Sequence, residues 1–270
     1  MSSEFHSVRY TVNGVLQPKP LRKKDFNEVV GTDQMPFNDQ LQGKFAVQNG
    51  GNNYLFRVIS YDQCYESFQR GIPQFHHEML QGPCKMYFDL DMPLPTGLQK
   101  AEAGAILLAE FFRVVSEKLN DDNLDIRELR AQFTILDRGR VPGAIGYDKI
   151  SFRVIRNDNR HFRCPPHLGA YLKSRLSRET FTSLGIDDKY GKAGNLQPIG
   201  GCKWDEWHNK ANRELYHLAD ARAPFFRPID NIDWQSPAFT KEMFLCGFAN
   251  YISPYSVLIS GLPLLYIAPA

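Results

Sequence analysis

The chain has 270 residues, 32 Lys and Arg against 30 Asp and Glu, and a formal net charge of +2. With 43% hydrophobic and 23% charged residues, disorder, collagen and coiled coil are excluded as the overall class, and the length suits one large domain or two packed subdomains. The small net charge neither marks nor excludes a nucleic-acid binder, because acidic catalytic residues can offset a basic groove. The five cysteines are scattered without a C-x-x-C pair, which argues against a zinc ribbon or disulfide scaffold and for reduced, buried thiols in an intracellular protein. The N-terminus has no apolar core of a signal peptide, and no stretch reaches the length of a membrane span.

Residues 1–53 form an N-terminal arm in this reading, irregular or partly helical. Tyr54–Ser60 is expected to be a buried strand, and Tyr61–Gln69 a short helix stopped by Gly71 and Pro73. Gln74–Leu80 and Lys85–Asp91 are strand-like, with Gly82-Pro83 between them. Leu98–Leu119 is the clearest helix, with Ile106, Leu107, Phe111, Val114 and Val115 at helical spacing and Thr96 as its cap. A short helix at Ile126–Arg130 precedes strands at Ala131–Leu136 and Lys149–Ile155. Pro165-Pro166 opens a helix running to about Leu184. Asn195–Ile199 is a further strand, Trp204–Tyr216 is helix or loop, and Lys241–Ile252 begins as a helix. The run Tyr251–Ala270 is broken by prolines into short buried strands, and its apolar end points to a fragment of a longer polypeptide. Strands alternating with helices give an α/β or α+β fold.

Three segments carry chemistry. In Lys85-Met86-Tyr87-Phe88-Asp89-Leu90-Asp91 alternate side chains share a face, so Asp89 and Asp91 stand on one side and Phe88 and Leu90 on the other. Two neighbouring carboxylates repel, and a hard divalent cation relieves the repulsion. The alternative is a solvated strand end. In Lys149-Ile150-Ser151-Phe152-Arg153-Val154-Ile155 the first, third and fifth residues make a donor-rich face suited to a triphosphate, or a solubilised sheet edge. In Gly185-Ile186-Asp187-Asp188-Lys189-Tyr190, Asp187 can supply a third carboxylate. Downstream, Gly200-Gly201 allows close approach of a ligand and Lys203 can place a charge on a phosphate; a surface turn is the alternative. The histidines show no tight metal spacing and are expected at the surface or hydrogen-bonded, and Trp204 and Trp207 either stack on a base or pack under a loop.

In this order the three segments resemble the motifs of the archaeo-eukaryotic primase superfamily, especially primase–polymerases and the N-terminal primase domains of large-DNA-virus primase–helicases. Cys84 to Asp91 is similar to the first motif, Lys149 to Arg153 to the second, and Ile186-Asp187 with Tyr190, Asn195-Leu196-Gln197 and Lys203 to the third. Phe244 to Asn250 resembles a segment near the end of the catalytic core, and the likeness spans roughly Tyr54 to Val257. Arg153 stands where the family usually has His, and Gln197 where it often has a basic residue. Asp188 leaves the third carboxylate ambiguous, and Asp187 is preferred because it follows Ile186 as in the family.

The resemblance implies an RRM-like catalytic sheet packed with an N-terminal α/β subdomain, within a core over residues 54–270. It implies two Mg²⁺ or Mn²⁺ ions held by Asp89, Asp91 and Asp187, and a triphosphate gripped by Lys149, Ser151, Arg153 and Lys203. Arg57 matches a basic residue that touches template or nucleotide. The implied activity is template-directed nucleotidyl transfer by a DNA primase or primase–polymerase. Its implied partners are single-stranded DNA template, primer, NTP or dNTP, and a helicase domain or subunit, with no membrane. The rival expectations are a catalytically degenerate domain that binds single-stranded DNA or nucleotides, and a metal-dependent phosphoesterase.

Overall fold

The computed structural model describes residues 10–12, 15–17, 42–48, 54–71, 76–138, 142–144, 146–190, 194–211, 226–228, 239–252 and 257–258. In chain order the first elements are β1 (Tyr10–Val12), β2 (Val15–Gln17), β3 (Gln42–Gln48), β4 (Tyr54–Ser60), α1 (Tyr61–Gln69), β5 (His76–Met79) and β6 (Tyr87–Pro93). They are followed by α2 (Lys100–Lys118), α3 (Ile126–Ala131), β7 (Phe133–Arg138), β8 (Lys149–Arg156) and β9 (Arg160–His161). The remainder are α4 (Pro165–Arg175), α5 (Arg178–Ser183), β10 (Asn195–Leu196), α6 (Trp204–His208), β11 (Phe226–Pro228), α7 (Lys241–Leu245) and β12 (Val257–Leu258).

The fold is mixed α+β. Two four-stranded sheets dominate, ordered β10-β5-β3-β4 and β11-β7-β8-β6, and every pairing within them is antiparallel. β3 lies inside the first sheet, between β5 and β4, so that sheet begins before residue 54 and the expected arm boundary is corrected. Its sequence, QGKFAVQ, carries Gly43 and Lys44 among few apolar residues, and this concealed a strand whose residues 43–46 are all buried. The prolines and basic residues at 18–24, Pro73, and the C-terminal run apart from Tyr251, Ile252 and β12 lie outside the described residues.

α2 explains how the second sheet is held. Ala103, Leu107, Leu108, Phe111, Phe112, Val114 and Val115 recur at helical spacing and are buried against Phe88, Ile135, Phe152 and Val154. Gly104 sits where the helix meets β8, and a Cβ there would stand 2.9 Å from the Phe152 ring. Ile106 is 56% exposed, so it lies off the expected apolar stripe. The helix begins at Lys100 after Gln99, later than the expected Thr96 cap.

The single helix expected from Pro165 to Leu184 is two. α4 ends at Arg175, Leu176 is extended, and the Ser177 hydroxyl caps α5 by accepting the Thr180 N–H. A second core joins α1 and α7 to the first sheet through Phe45, Tyr61, Phe68, Phe244 and Phe248. Leu136 of β7 belongs to this second core although its neighbour Ile135 belongs to the first. The two faces of the second sheet therefore have different owners: helices cover one, and the other turns toward the first sheet. Among the described residues no helix is long and apolar enough to cross a membrane.

Candidate functional site

β6 supplies the first two acids. Its register against β8 sets Asp89 opposite Arg153, Asp91 opposite Ser151 and Pro93 opposite Lys149. Residues opposite one another in an antiparallel pair project to the same face. The donor row of β8 thus runs beside the acid row of β6, on the side away from α2. Ser151 Oγ donates to Asp91 Oδ1 at 2.7 Å, and Arg153 Nη2 donates to Asp89 Oδ1 at 2.9 Å. Arg153 Nη1 also donates to the Gln197 carbonyl. Arg153 is 4% exposed, whereas Lys149 is exposed at the outer end of the row.

The third acid arrives on the other edge of β6. After α5 the chain turns at Gly185, whose φ of +61° is one that side chains rarely adopt. Ile186 then bridges Leu90, with Asp187 N–H donating to the Asp89 carbonyl at 3.0 Å and Asp91 N–H to the Gly185 carbonyl at 2.9 Å. This antiparallel bridge sets Asp187 beside Asp89, so Asp89, Asp91 and Asp187 share one face. The Tyr190 hydroxyl pins the segment by donating to the Tyr87 carbonyl at 3.0 Å, and its ring is buried. Asp188 pairs instead with Lys173 of α4 at 2.9 Å, which separates the two adjacent acids.

Lys189 reports on the cluster. Its ammonium forms an ion pair with Asp187, and its proton affinity is raised by that hydrogen bond first and by the charges of Asp187, Asp89 and Asp91. Its side chain is 79% exposed. Each acid thus already has an internal donor: Arg153 for Asp89, Ser151 for Asp91, Lys189 for Asp187. With the side chains so disposed, no group of three or more His, Cys, Asp or Glu among the described residues is arranged to hold a metal ion. The donor set is nonetheless all carboxylate oxygen, the chemistry that suits a hard divalent cation. Asp89, Asp91 and Asp187 are the residues that would hold one.

Behind the acid face lies a wall of buried polar groups, of which sequence reading associated only Gln197 with the site. His77 of β5, expected at the surface or hydrogen-bonded, is 6% exposed, and its Nε2 has no hydrogen-bond partner. Burial, and then the positive charges of Arg153, Arg138 and Lys203, push its pKa down to about 3, so the ring is neutral. Gln197, just after β10, is equally buried and its amide nitrogen has no partner. Arg138 at the end of β7 makes a buried ion pair of 3.0 Å with Glu206 of α6. The sequence signal for His77 was weak, because β5 is paired on both sides and buried on both faces, without alternation.

Lys203 is exposed, immediately precedes α6, and lies close enough to His77 to affect its protonation. Trp204 stacks on His208 within its own helix, ring centroids 3.8 Å apart. Arg57 is 4% exposed, and its Nη2 shares a 3.0 Å hydrogen bond with His76 Nε2. It lies in the buried interior of the first sheet. The segment resembling the end of a catalytic core is tied to β5: Glu78 accepts the backbone N–H groups of Ala249 and Asn250, both at 3.0 Å. The Lys85 N–H donates to the Ala249 carbonyl at 2.9 Å, so the same turn also braces the entry to β6.

The arrangement therefore offers three carboxylates on one face, a fixed guanidinium and hydroxyl beside them, and a donor-rich wall behind. Carboxylate oxygens are the ligands that hard cations take, and N–H and O–H donors are the partners that anionic oxygens take. No protein-family model matches the chain, and no curated protein matches it either.

Proposed function

We propose that this chain is the catalytic core of a DNA primase or primase–polymerase, joining nucleotides on a DNA template. The observation that carries the reading is the bridge that brings Asp187 beside Asp89 and Asp91, from a segment nearly a hundred residues away. Divalent ions, when bound, would supply the charge that activates the attacking hydroxyl and steadies the leaving pyrophosphate. The protein's own residues then position and neutralise. Asp89, Asp91 and Asp187 would hold the ions, which we take to be Mg²⁺ or Mn²⁺. Ser151 orients Asp91 by its hydrogen bond, and Arg153 orients Asp89. Lys149 and Lys203, both exposed, would meet phosphate oxygens. His77 and Gln197 add buried nitrogen donors or acceptors with no partner of their own in the fold.

The two antiparallel sheets, one bearing the acids, support the primase-like fold that the motifs imply. Template and primer would be held mainly through their backbones, giving affinity that falls steeply with salt. The test is extension of a primed template with labelled nucleotides and Mn²⁺. The wild-type chain is expected to make product, and Asp89→Asn/Asp91→Asn, which keeps an oxygen acceptor for Arg153 and for Ser151, to make none while still folding. Equal synthesis by the two proteins refutes the proposal.

One observation favours a second reading, a primase-like domain that binds single-stranded DNA or nucleotides without turnover. Arg153 and Lys189 already neutralise two of the three acids. Tight binding of nucleotide by the wild-type chain, with no product at any Mn²⁺ concentration, would select it.

A further inference from the structure

We infer that Arg153 stands permanently where one of two cations would otherwise sit, so that the nucleotide-free acid face binds one divalent ion. The inference rests on the reading of Asp89, Asp91 and Asp187 as metal ligands. Three properties of Arg153 lead to it. It carries a guanidinium, a planar cation whose N–H donors form a fixed fork. Its side chain is 5% exposed, walled in by β8 and the chain after β10. It is held at two points, with Nη2 on Asp89 Oδ1 at 2.9 Å and Nη1 on the Gln197 carbonyl.

Such a cation cannot step aside for a metal. Lys189 is the opposite case, an exposed ammonium on a flexible stem whose pairing with Asp187 is screened by water. An arriving ion displaces Lys189 but must share Asp89 with Arg153. Three carboxylates set against one fixed guanidinium leave two negative charges, the complement of one divalent ion. A second such ion would be repelled by a guanidinium with nowhere to go. A neutral side chain at this position would leave Asp89 unneutralised and the second place open.

The test is a titration of the nucleotide-free protein with Mn²⁺ at neutral pH, reading free ion by electron paramagnetic resonance. The wild-type chain is expected to take up one Mn²⁺, and Asp91→Asn/Asp187→Asn to weaken it by roughly tenfold or more. Arg153→His, with Arg153→Gln as a second variant should one fail to fold, is expected to acquire a second Mn²⁺. Lys189→Ala is expected to keep one ion and bind it several-fold tighter. Two ions on the wild-type chain would overturn the inference and leave the metal reading standing. So would a single ion on both folded Arg153 variants. If the wild-type chain takes up none, or if Asp91→Asn/Asp187→Asn takes up as much as the wild type, the metal reading falls and the inference falls with it.

Discussion

The backbone N–H of Asp187 donates to the carbonyl of Asp89 at 3.0 Å, and this bond fixes which of two adjacent acids faces the site. Asp187 shares a face with Asp89 and Asp91, while Asp188 pairs with Lys173. The two acids should therefore respond differently to the same substitution. Asp187→Asn keeps the backbone bridge and removes one charge from the face. Primer extension is expected to fall by about a hundredfold or more, the usual scale for losing one electrostatic partner of the reacting groups. Asp188→Asn removes a partly exposed ion pair and is expected to leave the rate within about twofold and stability within about 1 kcal/mol. Extension rates and thermal melts of both variants check this.

Gly185 is the hinge on which that bridge depends. Its φ is +61°, and a Cβ there would meet the Met92 side chain and lie 2.7 Å from the Asp91 carbonyl oxygen. Gly185→Ala must either strain its own backbone or push the Ile186 segment off β6. Backbone strain alone costs on the order of 1 kcal/mol, and the clash adds to it, so a loss of roughly 2–4 kcal/mol is expected in denaturant unfolding. The diagnostic outcome is a fall in Mn²⁺ affinity, under conditions where the variant is fully folded. The displaced segment carries Asp187.

How much of this was legible beforehand follows from burial patterns. In β6 and β8 the residue types alternate over Phe88–Asp91 and Lys149–Val154, one face packing under α2 and the other carrying polar side chains, so both strands and the acid pair were readable although all of β8 after Lys149 is buried. The boundaries of α1 were readable too, since Ser60 and Gln63 form a capping box and Gly71 follows its end. β3 was not, because Lys44 is 5% exposed in the middle of a sheet, where sequence patterns do not expect a lysine. The break between α4 and α5 has no Gly or Pro to mark it, only the Ser177 cap. The convergence of Asp187 on Asp89 was legible only as a resemblance of motifs. Nothing in local periodicity determines that two edges a hundred residues apart will meet.

Stability should depend on pH through two neighbours on β5 that act in opposite directions. His77 has a folded pKa of about 3 against 6.5 in the unfolded chain, so it binds its proton only on unfolding. Its contribution is full above pH 6.5 and is lost as pH falls toward 3. Glu78 is raised from 4.5 to about 7 by burial, against the pull of the Asn250 and Ala249 N–H groups, Lys85 and Arg153. Its contribution is full below pH 4.5 and is lost as pH rises through 7. Between these limits each proton changes the unfolding free energy by up to about 1.4 kcal/mol per pH unit. In His77→Gln the acid-side loss is expected to become shallower. Between pH 4.5 and 6.5 the two slopes oppose and cancel, so in Glu78→Gln the His77 slope stands alone and stability is expected to rise with pH over that range. Urea unfolding across that range distinguishes them, and unchanged slopes in both variants would contradict the assignment.

Arg138 and Glu206 join β7 to α6 by a 3.0 Å ion pair whose side chains are 4% and 6% exposed. Removing one member of such a pair leaves the other charge buried and uncompensated, at a cost of about 3–5 kcal/mol. Glu206→Ala is therefore expected to lower stability by that amount, while Glu206→Gln, which keeps an oxygen acceptor, should lose less. The pair also seats the start of α6, and Lys203 immediately precedes that helix. Glu206→Gln is accordingly expected to weaken nucleotide binding by several-fold even where the fold is intact. Lys203→Ala should produce a loss of similar size, and the double variant little more than either alone, because both act on one contact. Fluorescence titration with a labelled nucleoside triphosphate at two salt concentrations measures this. Additive losses in the double variant would show that Glu206 does not act through Lys203.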